Sequence, residues 1–389
     1  MKKTITLLAS TALLLGASCH KDEPTPEKRQ TSRTVLIYAV ASNNLQSYLV
    51  SDIDEMIQAA PNVDGLGDNV RVMLYSVASR NSVEAKLSEL KKDATGEWDF
   101  KTIKTYDRET FSTDPKRMSN VFADVRDLSP SQNYGLIFWS HGTGWIPNFS
   151  DHNIPESDSR KRSFGTDTFG STTDYCDIDE LADAIPNEMF DYIWFDACYM
   201  MGIEVAYQLR NKCDFVIGYP TEDWNPGMNY DSTLPMLATE KPDLSGAADS
   251  FFHYYYDSDM SVTITVARTE GLEKLAQAAA AIYEAGERPV SPYGLQNYSR
   301  LTYGLYDFGQ FTTAYLSGNG ENDTALADAF RSALSEVLVS AHCSETDFNG
   351  RDSYDPDIYS GFSCHFPNTS NTKREEYYKN LDWPQATRP

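Results

Sequence analysis

Tyr134-Gly-Leu-Ile-Phe-Trp-Ser-His141 and Asp191-Tyr-Ile-Trp-Phe-Asp-Ala-Cys198 are the two stretches that decide the fold of this chain. Each is an apolar run, typical of a buried strand, that ends at a chemically capable residue. In an open α/β sheet the carboxyl ends of parallel strands lie along one edge, and sites form there. If these strands are neighbours, an imidazole and a thiol meet, and a thiol beside an imidazole can form a nucleophilic thiolate.

Strand and helix signals alternate outward from these two runs. Buried-strand runs occupy 34–40, 70–77, 215–218 and 262–267, and helical patterns occupy 116–128, 177–185, 200–211, 244–256 and 272–284. Asn43 or Asn44 is predicted to cap a further helix that runs through Ala60. Near-continuous apolar runs fit strands covered on both faces, so the pattern predicts an α/β fold with a mostly parallel sheet sandwiched by helices. A helix over 322–340 and a last strand over 358–366 predict an additional C-terminal α/β portion, whereas 142–175 shows no clear periodicity.

The N-terminal residues are typical of a targeting segment. A basic n-region, a short apolar core and small residues up to position 18 precede Cys19, as in a bacterial lipoprotein signal. This arrangement predicts a signal peptide over 1–18, a lipidated Cys19, a flexible tether over 19–32 and one folded domain over 33–389. The location would be the cell envelope, with the lipid anchored in the outer membrane and the domain facing either the periplasm or the cell surface. The alternative is an ordinary secretory signal in which Cys19 is incidental.

Composition and cysteine spacing exclude several classes of protein. The formal net charge of −24 disfavours nucleic acid as a partner, and the aromatic content of 12% favours a packed globular domain. The six cysteines include no C-x-x-C pair, and Cys213 and Cys364 lie in apolar runs that predict buried free thiols. No His-x-x-x-His or EF-hand pattern is present, so we predict no metal site and no required cofactor, with calcium left unassigned. No Gly-x-Ser-x-Gly elbow supports a serine hydrolase.

The residues at the two strand ends have the chemistry of a cysteine hydrolase. Cys198 would be the nucleophile, His141 would protonate the leaving amine, and the amides of Gly142 and Cys198 would bind the oxyanion. A helix beginning directly after Cys198 would lower the pKa of its thiol.

Acidic residues follow the same strands. Asp196 shares a face with Cys198, so its carboxylate would orient the histidine, line a pocket for a cationic side chain, or cap the next helix. Glu222 and Asp223 follow the next strand and could add an acidic wall to that pocket.

Two of these motifs carry a resemblance to a known family. Ser-His-Gly-x-Gly-Trp at 140–145 and Asp-Ala-Cys-Tyr-Met at 196–200 resemble the His and Cys signatures of the clostripain family of cysteine peptidases. The segments 35–45 and 361–367 resemble the opening strand and a late segment of that family. The resemblance implies a caspase-like fold, a His141–Cys198 dyad and cleavage after Arg or Lys, with Asp196 in the specificity pocket. Thr221-Glu-Asp-Trp-Asn and the Cys-His pair at 364–365 depart from the family pattern.

A basic run between the two motifs suggests self-cleavage. Ser159-Arg-Lys-Arg-Ser163 lies between His141 and Cys198, and members of the resembled family are often activated by cleavage in this interval. Cleavage after Arg160, Lys161 or Arg162 would then activate the enzyme, whereas the alternative is a solvated charge cluster. The leading hypothesis is a lipid-anchored cysteine endopeptidase acting on proteins with basic residues. The competing one is an inactive caspase-like lipoprotein that serves as a binding or adhesion module.

Overall fold

The computed structural model describes residues 30–147, 163–286, 290–299, 304–316, 320–347, 350, 353–367 and 372–387. The predicted signal peptide, most of the tether and Cys19 lie outside these ranges, as do Arg160, Lys161 and Arg162. The lipidation and self-cleavage hypotheses therefore stay predictions. Among the described helices, none combines the length and the apolar character needed to cross a bilayer.

A nine-stranded sheet forms the centre of the described structure. The strands of the described residues are β1 (Thr31–Val40), β2 (Val70–Val77), β3 (Glu84–Lys92), β4 (Trp98–Asp107), β5 (Ser131–Trp139), β6 (Phe164–Phe169), β7 (Thr172–Cys176), β8 (Phe190–Asp196), β9 (Cys213–Gly218), β10 (Thr263–Arg268), β11 (Leu305–Asp307), β12 (Leu338–Cys343) and β13 (Ser363–His365). Five adjacent strands, in the order β9-β8-β5-β1-β2, run parallel. Antiparallel β3 and β4 extend one side, and β10 and β12 extend the other. The prediction of a mostly parallel sheet is confirmed.

Helices cover both faces of this sheet. They are α1 (Gln46–Ala59), α2 (Pro115–Leu128), α3 (Ile178–Ala184), α4 (Ile203–Gln208), α5 (Tyr230–Leu237), α6 (Leu244–Tyr256), α7 (Leu272–Ala285), α8 (Phe308–Thr313), α9 (Glu321–Val337), α10 (Thr372–Tyr378) and α11 (Asp382–Thr387). Side chains of α1, α5 and α6 build the core on one face, and those of α2, α3, α4, α7, α8, α9 and α11 build it on the other. The site therefore rests on a sheet that is packed from both sides.

Strand β1 shows how the sequence forms this two-sided core. Leu36 and Tyr38 belong to one core, whereas Val35, Ile37 and Ala39 belong to the other. Because successive strand side chains point to opposite faces, a continuous apolar run supplies both cores at once. Burial of each large aliphatic side chain stabilises the fold by roughly 1.5–3 kcal/mol.

The structure corrects four local predictions. The hairpin β3–β4 was not predicted, because its strands carry charged residues on an exposed face, as edge strands often do. The interval 142–175, predicted to lack regular structure, contains β6 and most of β7, which form a hairpin. The predicted helix over 322–340 ends at Val337, because the next residues pair with β10 as β12. The predicted strand over 358–366 is only β13, since Gly361 adopts a φ of 82° just before it.

The start of α1 also differs from the prediction. Neither Asn43 nor Asn44 caps this helix, whose N-cap is Leu45 with no side-chain hydrogen bond. The carboxamide oxygen of Asn43 instead accepts from the Leu45 amide at 2.8 Å, which closes a local turn before the helix. The two asparagines therefore shape the loop after β1.

None of the cysteines in the described ranges is joined in a disulfide. Cys213 and Cys364 are buried, as their apolar surroundings in the sequence predict.

Candidate active site

Neighbouring parallel strands bring the two predicted catalytic side chains together. Trp139, the last residue of β5, pairs with Asp196, the last residue of β8. His141 and Cys198 each lie two residues beyond these strand ends, and both line one cavity of about 250 Å³. The same cavity is lined by Asp196, Glu222 and Asp223. The structure thus gathers five residues that the sequence had singled out.

Gly142 allows the two loops to pack closely. A Cβ atom on this residue would lie 2.5 Å from the carbonyl oxygen of Cys198 and 2.9 Å from Cγ of Met200. Within the described part of the chain, the backbone amides of Gly142 and Cys198 donate to no other backbone group. Both predicted oxyanion donors are therefore available beside the thiol.

The close approach at Gly142 leads to a testable expectation. Gly142→Ala should lower kcat/KM by about 100-fold, since small misplacements of catalytic groups cost on the order of that factor. Overpacking should also reduce the free energy of unfolding by about 1–3 kcal/mol. Peptide hydrolysis and thermal unfolding measure the two effects.

Gly218→Ala is the matched control for that substitution. Its Cβ would meet its nearest neighbour at 3.6 Å, an ordinary contact, although this glycine is also buried in the sheet. Near-normal kcat/KM in Gly142→Ala would show that the two loops tolerate separation.

The imidazole of His141 has a defined polar partner. Its Nε2 atom lies 2.7 Å from Oδ1 of Asn44, which lines the same cavity. The sequence pattern predicted Asn43 or Asn44 as a helix cap and did not indicate this contact. The one signal that could have indicated this contact is the place of Asn44 in the segment that follows β1.

The thiol of Cys198 lies against the loop that follows β9. The backbone amide of Asp223 donates to Sγ at 3.3 Å. Burial raises the pKa of this thiol to about 12, and the negative charges of Asp223, Glu222 and Asp196 add to the rise. The expectation of a pKa lowered by a helix is wrong for this state. Helix α4 begins only at Ile203, so its N-terminus does not adjoin the sulfur.

Asp196 forms the buried floor of the cavity. Its carboxylate accepts from the Met228 amide at 3.2 Å and from the Tyr230 hydroxyl at 3.0 Å. Burial raises its pKa to about 7, against the lowering effect of these two hydrogen bonds, and Glu55 adds to the rise. The carboxylate caps none of the described helices, and these hydrogen bonds join it to the segment after Asn225. Of the three roles that the sequence allowed, this location fits best with lining a pocket for a cationic side chain.

Further carboxyl groups surround Asp196. Burial and the charge of Asp196 raise the pKa of Asp223 well above its usual value. Burial also raises the pKa of Asp52 to about 9, with Asp196 as the next contribution. Such mutual repulsion favours protonated carboxyls in the empty cavity and ionised ones beside a bound cation.

Asp52 was missed by the sequence analysis, although a signal was present. It occupies the buried face of α1 together with Leu49, Met56 and Ala59. Its Oδ2 accepts from the indole of Trp139 at 2.7 Å. An acidic residue within an apolar helical stripe is the pattern that could have identified it.

Metal ions in proteins are held by sets of side chains such as His, Cys, Asp and Glu. Within the described ranges, no group of three or more His, Cys, Asp or Glu residues is arranged to hold a metal ion. Calcium therefore stays unassigned.

Known proteins resemble this chain in sequence and in fold. The clostripain family model matches residues 37–385. Clostripain of Hathewaya histolytica is 26% identical in an alignment of 225 residues, and this alignment covers 52% of this chain and 42% of clostripain. The chain thus matches less than half of that relative.

Two solved structures agree over most of the chain. They are an inactive zymogen C11 protease from Parabacteroides distasonis and a secreted C11 cysteine protease from Bacteroides thetaiotaomicron in complex with an irreversible peptide inhibitor. Each is 26% identical with a TM-score of 0.75, and each alignment covers 92% of this chain and 99% of the solved one. The predicted caspase-like fold is confirmed by this agreement.

Proposed function

Because this chain belongs to the clostripain family of cysteine peptidases, we propose that it is a lipid-anchored endopeptidase that cleaves after Arg or Lys through His141 and Cys198. The observation that carries the proposal is their position at adjacent strand ends in one cavity with Asp196 at its floor. A nucleophile, a base and a buried carboxylate in one cleft are the parts that such a reaction needs.

The proposed reaction proceeds through a covalent thioester. His141 takes the thiol proton as Cys198 attacks the scissile carbonyl carbon, and the resulting oxyanion is stabilised by the amides of Gly142 and Cys198. The protonated imidazole then gives its proton to the leaving amine, so the C–N bond breaks and an acyl-enzyme remains. Water attacks the thioester with His141 as base, which releases the new carboxylic acid and restores the thiol.

The acidic cavity supports a preference for basic side chains. A guanidinium or ammonium group that enters the cavity would meet Asp196 at its floor, with Asp223 and Glu222 on the wall. Its positive charge would favour ionised carboxylates, because an opposite charge within about 4–6 Å stabilises the charged form. Recognition and ionisation are therefore coupled in this proposal.

This coupling predicts a pH dependence of substrate binding. Asp196, whose pKa is raised to about 7, is protonated below that pH and binds a cation weakly there. The KM for Arg peptides should therefore fall as the pH rises through about 7 and then level off. Steady-state kinetics between pH 5.5 and 8.5 test this, with an uncharged residue before the scissile bond as the control substrate. An identical pH dependence of KM for both substrates would contradict the role of Asp196.

The direct test of the proposed function is a set of fluorogenic peptides ending in Arg, Lys, Ala or Asp. We expect turnover of the Arg and Lys peptides alone. Turnover of only the Ala or Asp peptides would keep the peptidase and discard the basic specificity. No turnover of any peptide, even after trypsin nicking and added calcium, would favour the inactive binding module.

Self-cleavage and anchoring are further parts of the proposal. Support for cleavage after Arg160, Lys161 or Arg162 comes from the basic run itself, because an enzyme with this specificity would accept it as substrate. Mass spectrometry of the mature protein tests both features, since it detects acylated Cys19 and any cut between 142 and 175. A fully active protein with an uncut loop would overturn the activation hypothesis.

A further inference from the structure

We infer that Asn44 is a positioning residue for His141, an inference that rests on the proposed His141–Cys198 dyad. Oδ1 of Asn44 lies 2.7 Å from Nε2 of the imidazole, well within hydrogen-bond distance. Both side chains line the cavity that holds the thiol. Asn44 acts through the histidine and has no direct part in bond making or breaking.

The chemistry of the contact fixes the tautomer of the ring. A carboxamide oxygen can only accept, so Nε2 of His141 must carry the proton. In the neutral ring Nδ1 is then the basic nitrogen, and it takes the proton from Cys198 and later passes it to the leaving amine. Removal of Asn44 would take away the acceptor that selects this tautomer.

The turn that carries Asn44 is held by its neighbour. Nδ2 of Asn43 donates to the carbonyl oxygen of Val40 at 3.0 Å and to that of Thr166 at 2.9 Å. Asn43 thereby connects the end of β1 to β6, and its Oδ1 accepts from the Leu45 amide across the turn that carries the exposed Asn44. A side chain on a restrained turn can hold its acceptor atom in one place at low entropic cost.

A buried ion pair is hydrogen-bonded to the residue that begins the same turn, Ser42. Nη2 of Arg108 lies 2.5 Å from Oδ1 of Asp167, and the two side chains are 1% and 0% exposed. Asp167 also accepts from the Ser42 hydroxyl at 2.5 Å and from the Ser112 amide at 2.6 Å. Ser42, two residues before Asn44, is therefore hydrogen-bonded to a carboxylate that Arg108 and Ser112 hold in place.

A carboxamide suits this position better than a carboxylate. The cavity beside His141 already contains the acidic groups of Asp196, Glu222 and Asp223, along with the Cys198 thiol. A carboxylate at position 44 would place another negative charge beside the imidazole. That charge would favour the imidazolium, which cannot accept the thiol proton. A neutral amide orients the ring without adding to that bias.

Kinetics of Asn44→Ala in the full chain test the inference. We expect kcat to fall by about 10–100-fold, the usual contribution of an orienting hydrogen bond in a catalytic dyad, with KM for an Arg peptide changed by less than about 2-fold. Asn187→Ala is the matched control, because Asn187 is an exposed asparagine that accepts a hydrogen bond from Lys212 at the protein surface. Its kinetics should equal those of the wild type.

Asn44→Asp separates positioning from a structural role. The carboxylate keeps an acceptor at the same place, so activity should recover at high pH, while the acidic limb of the kcat profile moves to higher pH. A purely structural role predicts equal losses in both Asn44 variants and no shift of the profile, and that result would overturn the inference. Thermal unfolding of each variant identifies any loss that arises from misfolding, and the pH shift of Asn44→Asp remains decisive in that case.

Kinetics of three alanine variants distinguish an error in the role of Asn44 from an error in the proposed dyad. If His141→Ala and Cys198→Ala abolish turnover but Asn44→Ala leaves kcat unchanged, only the role of Asn44 is wrong. If His141→Ala or Cys198→Ala remains active, the dyad itself is wrong.

Discussion

Cys198→Ala is expected to lower turnover of an Arg peptide by about 10⁴–10⁶-fold, the range seen when a covalent nucleophile is removed. In the proposed reaction this thiol forms the acyl-enzyme, and the Ser140 hydroxyl, which also lines the cavity, donates a hydrogen bond to the carbonyl oxygen of Val40. The fold should survive, because the sulfur is half-buried and its hydrogen bonds run only to the backbone of Asp223. Progress curves at high enzyme concentration measure the loss, and titration with an irreversible peptide inhibitor, which needs the thiol, sets the concentration of active wild type.

Cys343→Ala provides the matched control for that variant. Cys343 is a buried free thiol in a small cluster with Tyr298 and Tyr354, away from the cavity. It should keep wild-type kinetics with a modest loss of stability from the smaller side chain. Substantial turnover by Cys198→Ala would assign the chemistry to another residue.

Asp196→Asn is expected to lower kcat/KM for Arg and Lys peptides by about 10²–10³-fold. Loss of a buried charge that faces a cation typically costs about 2–5 kcal/mol, or about 30-fold to 5,000-fold, and the expected loss lies in the middle of that range. Asparagine has nearly the same shape, and its oxygen can still accept from Met228 or Tyr230. The effect should therefore arise from charge, and a peptide with an uncharged residue before the scissile bond should lose much less.

Asp214→Asn is the control for the charge change. Asp214 lies at the start of β9, at the opposite end of the sheet from the cavity, and its side chain is exposed. Equal losses for charged and uncharged substrates in Asp196→Asn would mean that Asp196 maintains the site structure and does not select the substrate.

The sequence predicted the central sheet because its strands are buried on both faces. A continuous apolar run such as Val35–Val40 is typical of a buried strand. The sequences of β3 and β4 are charged and half-exposed, and they resemble those of surface loops or helices. The boundary between α9 and β12 depends on pairing with β10, a long-range contact that a local pattern does not contain. The same limit applies to the end of the chain, where β13 pairs with β11.

The sequence predicted the relative positions of the candidate site residues where chemistry and strand ends coincide. His141, Asp196 and Cys198 follow directly from the ends of β5 and β8, so the sequence placed them correctly relative to one another. Asn44 and Asp52 come from the segment after β1, and only the folded sheet shows which side chains they meet. The pKa of the thiol could not be predicted either, because it depends on burial and on three carboxyl groups from separate loops.

The raised pKa of Cys198 should also slow the oxidation of its thiol. Peroxides oxidise thiolates far faster than thiols, and a resting sulfur with a pKa of about 12 is almost entirely protonated at neutral pH. The empty site would thus resist conversion to sulfenic acid in the oxidising compartment to which a lipoprotein signal would deliver it. Inactivation by hydrogen peroxide should be slow at pH 7 and accelerate steadily up to pH 10, whereas a rate that is already maximal at pH 7 would indicate a resting thiolate. An acidic cavity would then give this peptidase its affinity for basic substrates and, between turnovers, a longer oxidative lifetime.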